Sequence, residues 1–318
     1  MSATAQEPAL LDPTAGAEPN VRRTTRLGRT DLEVCRIGIG GGGGLSSADL
    51  RYAMSRGINY YFHSTDLHAA QYERSRSALR SVFGRASPRR DKLVLSVVSY
   101  VCDPEKIFAV LADQLHTIGA DYVDVFNWGW VTRRNEPGAL LQTADDVLRK
   151  QIRRKDAAAI AGVAREAGAD LRSRGYARYL GITTHDRPLA AELANDPLVD
   201  VVMCRYNIAH RGAEREFFPK LPPARPGVVT FNAAHGARGM LAVAPPGFPK
   251  ERYVPAYGDL YRFALDRPEI DVVLTGPATR EHVDASLRTL DGPPLEPRMR
   301  AYLEKYGDIH SGAAVIVA

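Results

Sequence analysis

Cysteine is scarce: three in 318 residues, at Cys35, Cys102 and Cys204, far apart and without a C-x-x-C pair. That spacing argues against a disulfide framework and against a clustered structural zinc site. Lysine is scarce too. Only Lys92, Lys106, Lys150, Lys155, Lys220, Lys250 and Lys305 accompany 35 arginines. No apolar run approaches the ~20 residues of a membrane span. Residues 1–20, rich in Ala, Pro, Glu and Thr, lack the basic start and apolar stretch of a signal peptide. They read as a disordered tail, which leaves 21–318 for one folded unit and implies a cytoplasmic protein. The net charge is +5, yet basic residues are scattered among acids with no aromatic interleaving. Neither nucleic acid nor membrane is expected as a partner, and a small molecule is. No tight ligand motif such as H-E-x-x-H occurs, so no metal is expected.

What is present is a regular beat of short, β-branched apolar runs, each closed by glycine or a polar cluster. They are CRIGIG (35–40), YYFHS (60–64), KLVLSVVSY (92–100), YVDVFNWGW (122–130), ARYLGITTH (177–185), VDVVMCRYN (199–207), GVVTFNAA (227–234) and IDVVLTGPA (270–278). Nearly continuous apolar runs suit strands buried on both faces. Between them lie helical patterns with capping signals. SADLRYAMSRG has serine at its start and Gly57 at its end, and DPEKIFAVLADQLHTIG has Asp103, Pro104 and Gly119. Eight strands alternating with helices predict parallel βα units closed into an α/β fold, a (β/α)8 TIM barrel. A doubly wound sheet is the alternative, because Gly38, Gly40 and Gly43 spell G-x-G-x-x-G and Asp66 follows at about the right distance. Eight evenly spaced units without a composition break favour the barrel.

Chemistry in such a barrel belongs on the loops at the C-terminal strand ends. The second of these reads FHSTDLHAAQYERS and gathers His63, Asp66, His68 and Tyr72. A histidine near a carboxylate is an acid–base pair near neutral pH; the plainer reading makes Asp66 a helix cap. His185 follows the fifth strand and His235 the seventh. Tyr100 ends the third strand; Asn127, Trp128 and Trp130 end the fourth. Arg205, at the end of the sixth, is suited to a substrate carboxylate or to a rim salt bridge. The glycine run Gly40–Gly44, with Gly41 and Gly42 at its centre, removes side chains from the first loop. It predicts a widened, flexible pocket wall. Two long loops, 131–152 and 235–256, read as lids or as tolerated insertions.

Seven of these stretches, in order, resemble aldo-keto reductases over about residues 22 to 290. They are TTRLGRTDLEVCRIGIGGG, AMSRGINYY, DYVDVFNWGW, GITTHD, VVMCRYNIAHRGAEREFFP, VVTFNAAHGARGML and DVVLTGPATREHVDASL. The resemblance implies an N-terminal β-hairpin plugging the barrel bottom. It also implies hydride transfer between NADPH and a carbonyl by an Asp, Tyr, Lys and His set. At the matching positions this chain has Phe62, Leu67, Val98 and Gly129, so the usual set is replaced. With shifted gaps, Asp66 and Tyr72 stand in, and Asp66, His68, Tyr72 and His185 are the candidate catalytic residues. For the cofactor, Thr183 and Thr184 replace the usual Ser-Asn pair and Met203 a glutamine. Phe231, followed by Asn232, replaces a stacking tyrosine, and Ala285 and Ser286 replace an adenine-binding Glu-Asn pair. Gly276 and Arg280 offer a helix N-terminus and a cation for phosphate. The implied function is an NADP(H)-linked oxidoreductase by ancestry, acting on a small carbonyl-bearing or aromatic metabolite. Cofactor-independent cyclisation, dehydration or isomerisation is the alternative, as is a non-catalytic ligand-sensing barrel.

Overall fold

The computed structural model describes residues 23–64, 69–84, 87, 90–100, 104–129, 131, 167–235 and 239–313. The tail 1–20, Cys102, Asp66, His68, Trp130 and nearly all of the first long loop therefore lie outside the described residues.

The chain opens with a hairpin, β1 (Thr24–Arg26) and β2 (Glu33–Cys35), paired antiparallel. Eight parallel strands then close on themselves: β3 (Ile37–Gly40), β4 (Tyr60–Ser64), β5 (Val94–Ser99), β6 (Val123–Trp128), β7 (Ala177–Thr184), β8 (Val201–Arg205), β9 (Gly227–Phe231) and β10 (Val272–Thr275). The last pairs with the first, Val273 opposite Ile37, which completes the barrel. All eight apolar runs are strands, and the doubly wound alternative is excluded by closure.

The strands are apolar on both faces because both faces are covered. Their inner face packs a core that includes Tyr60, Phe62, Val98, Val125, Met203, Val229 and Leu274. Their outer face, with Ile37, Tyr61, Phe126 and Trp128, packs on the helices. Among these are Ser47–Ser55, Ala69–Phe83, Pro104–Ile118, Arg187–Leu193, Tyr257–Leu265 and Arg280–Asp291. The first is capped one residue earlier than its composition suggests: Ser46 Oγ accepts the Asp49 N–H at 3.1 Å. A final helix, Pro297–Ser311, lies beyond the resembling stretch.

The hairpin closes the barrel floor. Leu27, Leu32 and Val34 are buried in the inner core, and the turn presses on the start of β9. A Cβ on Gly28 would lie 2.1 Å from the Gly227 nitrogen, and Gly28 has φ +51°. Only glycine fits that approach.

A repeated device stitches alternate strands near the floor. Asp124, Asp200 and Asp271 stand at or just before the starts of β6, β8 and β10, each within a Val/Ile-Asp-Val triplet. Each accepts the backbone N–H of the neighbouring strand, from Leu95 at 2.9 Å, Leu180 at 3.0 Å and Val228 at 2.9 Å. Arginines complete each site. Asp124 takes Arg90 at 2.8 Å and Arg178 at 3.1 Å, and Asp271 takes Arg225 at 2.7 Å. Arg172 lies 3.5 Å from Asp200.

Candidate active site

The open end of the barrel is its C-terminal rim, and strand parity decides which side chains reach it. On β4, Phe62 points inward and His63 outward, as core membership shows for their neighbours Tyr60 and Tyr61. On β6, Asn127 points inward, donating from Nδ2 to Ser96 Oγ at 2.9 Å and to the Val97 carbonyl at 3.0 Å. Trp128 points outward, packed edge-on against Phe126 with ring centroids 5.1 Å apart. Its expected place in the pocket is thus corrected: the ring belongs to the layer between strands and helices.

Tyr72, Tyr100 and Phe231 cover the top of the inner core. Glycines make room for both tyrosines. A Cβ on Gly41 would sit 2.7 Å from the Tyr72 ring, and one on Gly129 would sit 2.4 Å from the Tyr100 ring. So Tyr100 occupies the space over Gly129, where the family's histidine is expected. A tyrosine set against a glycine on the next strand is the sequence signal for that pairing. Burial, and then the neighbouring Tyr100, raise the Tyr72 hydroxyl well above its ordinary value. No lysine among the described residues belongs to the inner core, and Val98 is buried at the expected lysine position.

Two of the glycines leave no spare room: Gly41 and Gly43 stand where a Cβ would clash. Gly41–Gly43, with Gly42 in the middle, form a 3-10 turn, and Gly44 follows at φ +71°. A Cβ on Gly43 would lie 2.2 Å from the Pro277 carbonyl oxygen, and Ser75 Oγ donates to the Gly41 carbonyl. Gly41 and Gly43 are close-packed, and the run ends a barrel strand.

His63 is fully buried outside the barrel, and neither ring nitrogen has a hydrogen-bond partner among the described residues. Burial and then Arg76 hold its pKa down to about 4, against an opposing pull from Gln114. It does not face the barrel interior, but its ring lies edge-on to Tyr72, centroids 5.5 Å apart. The structure also brings together a further set, from the ends of β7, β8 and β9. His185 lies edge-on to Phe231, centroids 5.4 Å apart. His210 and His235 stack at 5.0 Å and 13°. Burial, followed by Arg205 and Arg187, lowers the pKa of His185; burial and then Arg205 lower that of His235. His210 is held down to about 4 by burial, Arg205 and the surrounding cations.

The cofactor positions fit unevenly. At the nicotinamide end, Thr183 faces inward and Phe231 offers a half-buried ring. Thr184 points the other way: its hydroxyl donates to the Val131 carbonyl at 2.6 Å and accepts the Asp186 N–H at 2.9 Å. Met203 is buried and has no amide. Asn232 is exposed at φ 56°, its carbonyl accepting Asn207 Nδ2 at 2.8 Å. At the phosphate end, Gly276 has open space around it, but Arg280 Nε donates to Asp49 Oδ1 at 2.7 Å. Ser286 Oγ donates to the His282 carbonyl at 2.8 Å. The nicotinamide end fits a ring and one amide contact. The adenine end, its cation paired and its hydroxyl engaged, does not fit as it stands.

Closed parallel strands, helices outside and a hairpin floor define the chain as a (β/α)8 barrel. Among solved structures it is similar to aldo-keto reductase AKR11C1 from Bacillus halodurans. The holo form matches with TM-score 0.66 at 19% identity, over 89% of this chain and 96% of that one. The apo form matches with TM-score 0.62 at 19% identity, over 89% and 95%. No family model and no curated protein matches the sequence.

Proposed function

We propose that this chain is an enzyme of aldo-keto reductase descent that acts at its barrel mouth on a small carbonyl-bearing or aromatic metabolite. Its oxidoreductase chemistry is NADP(H)-linked by ancestry, with the usual acid–base set replaced. The observation that carries this reading is the inner rim: His185 held against Phe231, beside inward-facing Thr183, on a barrel of reductase shape. Phe231 would offer the nicotinamide its ring face and Thr183 a hydroxyl to its amide. When bound, that group supplies the hydride. His185 is the proposed proton-transfer residue because it stands at this rim against Phe231; burial, Arg205 and Arg187 lower its pKa and favour the neutral ring. Tyr72, with its hydroxyl pKa raised and no lysine beside it, positions substrate rather than giving up its proton. Asp66 and His68 remain proposed members of the adjoining loop.

A second reading, acid–base chemistry without a cofactor, is favoured by the pairing of Arg280 with Asp49 and by the engaged Thr184 hydroxyl. NADPH fluorescence titration separates the two. Saturable binding supports the redox reading, and a folded protein that binds no NADPH ends it. Turnover that survives intact in His68→Ala removes His68 from the mechanism.

A further inference from the structure

Arg205 ends β8, and its register partner on β9 is Phe231. Among the described residues its guanidinium makes no hydrogen bond and no ion pair. The carboxylates that flank this rim are already engaged. Glu216 holds Arg187 at 2.6 Å, Glu214 accepts the Tyr206 hydroxyl at 2.5 Å, Asp308 holds Arg211 at 2.7 Å, and Asp186 accepts the Leu189 N–H at 2.9 Å. Three histidines stand close enough to Arg205 to feel its charge: His185, His210 and His235. They come from the ends of three consecutive strands. His185 reaches across β8 to touch the Phe231 ring, which brackets Arg205 between them.

The histidines are held in place. Nδ1–H of His210 donates to Asn207 Oδ1 at 3.0 Å, while Asn207 Nδ2 donates to the Asn232 carbonyl at 2.8 Å. That network fixes the His210 tautomer with Nδ1 as donor, and no partner of its Nε2 is found among the described residues. His235 Nδ1 is buried without a hydrogen-bond partner among the described residues. Asn232 and His235 are also the only positive-φ residues other than glycine among those described. Side chains rarely adopt that backbone, and it clusters at binding sites. A cation set among potential cations, with no acid paired to it among the described residues, lowers its energy by taking up an anion.

We propose that Arg205, ringed by His185, His210 and His235, binds the carboxylate of an aromatic or keto acid substrate whose body packs against Phe231. A guanidinium meets a carboxylate through two parallel N–H donors, which fixes orientation as well as charge. The assignment deepens the functional reading above and rests on it for the mouth being a substrate site.

The test uses benzoate as the anionic probe and benzamide as its neutral isostere. Benzoate is expected to shift the ring resonances of His185, His210 and His235 in wild-type protein, and to bind at least tenfold more weakly to Arg205→Gln. Benzamide is expected to do neither. A cooperative thermal transition shows that the variant is folded; should it fail to fold, Arg205→Lys is expected to weaken benzoate binding by losing the paired donors. Benzoate binding equally to wild type and variant overturns the proposal. So does a folded wild type that ignores benzoate, or one that binds benzamide as well. If the variant loses affinity for NADPH but not for benzoate, the anion held is the cofactor's diphosphate and the substrate assignment fails. Benzoate binding without any NADPH binding keeps the carboxylate site and ends the redox reading instead.

Discussion

At the scale of single residues, glycine and histidine carry the most information. Gly43 and Gly276 lie side by side after the paired strands β3 and β10 but differ in their surroundings. Ala at 43 meets two carbonyl oxygens, at 2.2 and 2.7 Å, whereas Ala at 276 meets nothing within 4 Å. Gly43→Ala is therefore expected to lower stability by about 1–3 kcal/mol, as overpacking does, and Gly276→Ala to leave it within about 0.5 kcal/mol. Equal thermal midpoints for the two variants would refute the close-packed reading of the glycine turn. The buried His63 sets a pH dependence. Its folded pKa of about 4 lies below the ordinary 6.5, so the unfolded chain takes up its proton first as pH falls. Stability is thus complete above about pH 6.5 and declines toward pH 4, by about 3 kcal/mol for this residue. Urea denaturation at pH 7 and 4.5 checks it, and His63→Leu is expected to flatten the difference. The identity of such residues is plain in the sequence, but their direction is not. Trp128 sits in a strand apolar on both faces, so alternation cannot tell which side it takes. Arg205 reads equally as ligand or rim pair until three loops, far apart in the chain, are brought together.

At the scale of elements, the eight strands were legible because each is a compact apolar run between turn signals. Helix caps were legible to within a residue, as Ser46 shows. The final helix Pro297–Ser311 was not, since it follows the last βα unit and obeys no repeat. Nor was the role of the Val/Ile-Asp-Val triplets, whose aspartates look like ordinary polar strand residues. Their burial and backbone bonds make them structural. Asp124→Ala takes the carboxylate from Arg90 and Arg178 and leaves the Leu95 N–H unpaired, with Arg90 keeping only the Leu93 and Tyr122 carbonyls. A loss of about 3–5 kcal/mol is expected on breaking such a buried pair, read as a lower urea midpoint with cooperative unfolding retained. A change under 1 kcal/mol would show that the stitch is not structural.

At the scale of the molecule, the two ends of the barrel divide the labour. The floor holds the hairpin, the aspartate stitches and their arginines; the rim holds His185, Arg205, Phe231 and the two tyrosines. Asp124→Ala should consequently move the denaturation midpoint while leaving benzoate affinity unchanged, and Arg205→Gln should do the reverse. Substitutions at either end that move both quantities together would deny the division. No helix among the described residues is long and apolar enough to cross a membrane. The hairpin has one more consequence. With Leu27, Leu32 and Val34 wedged into the floor, the barrel is a cup and not a tube. Below the rim the interior is packed core, so a molecule bound at the mouth has the rim as its one way in and out. On the proposed function, substrate and product share that single doorway, and each is expected to compete with the other for it.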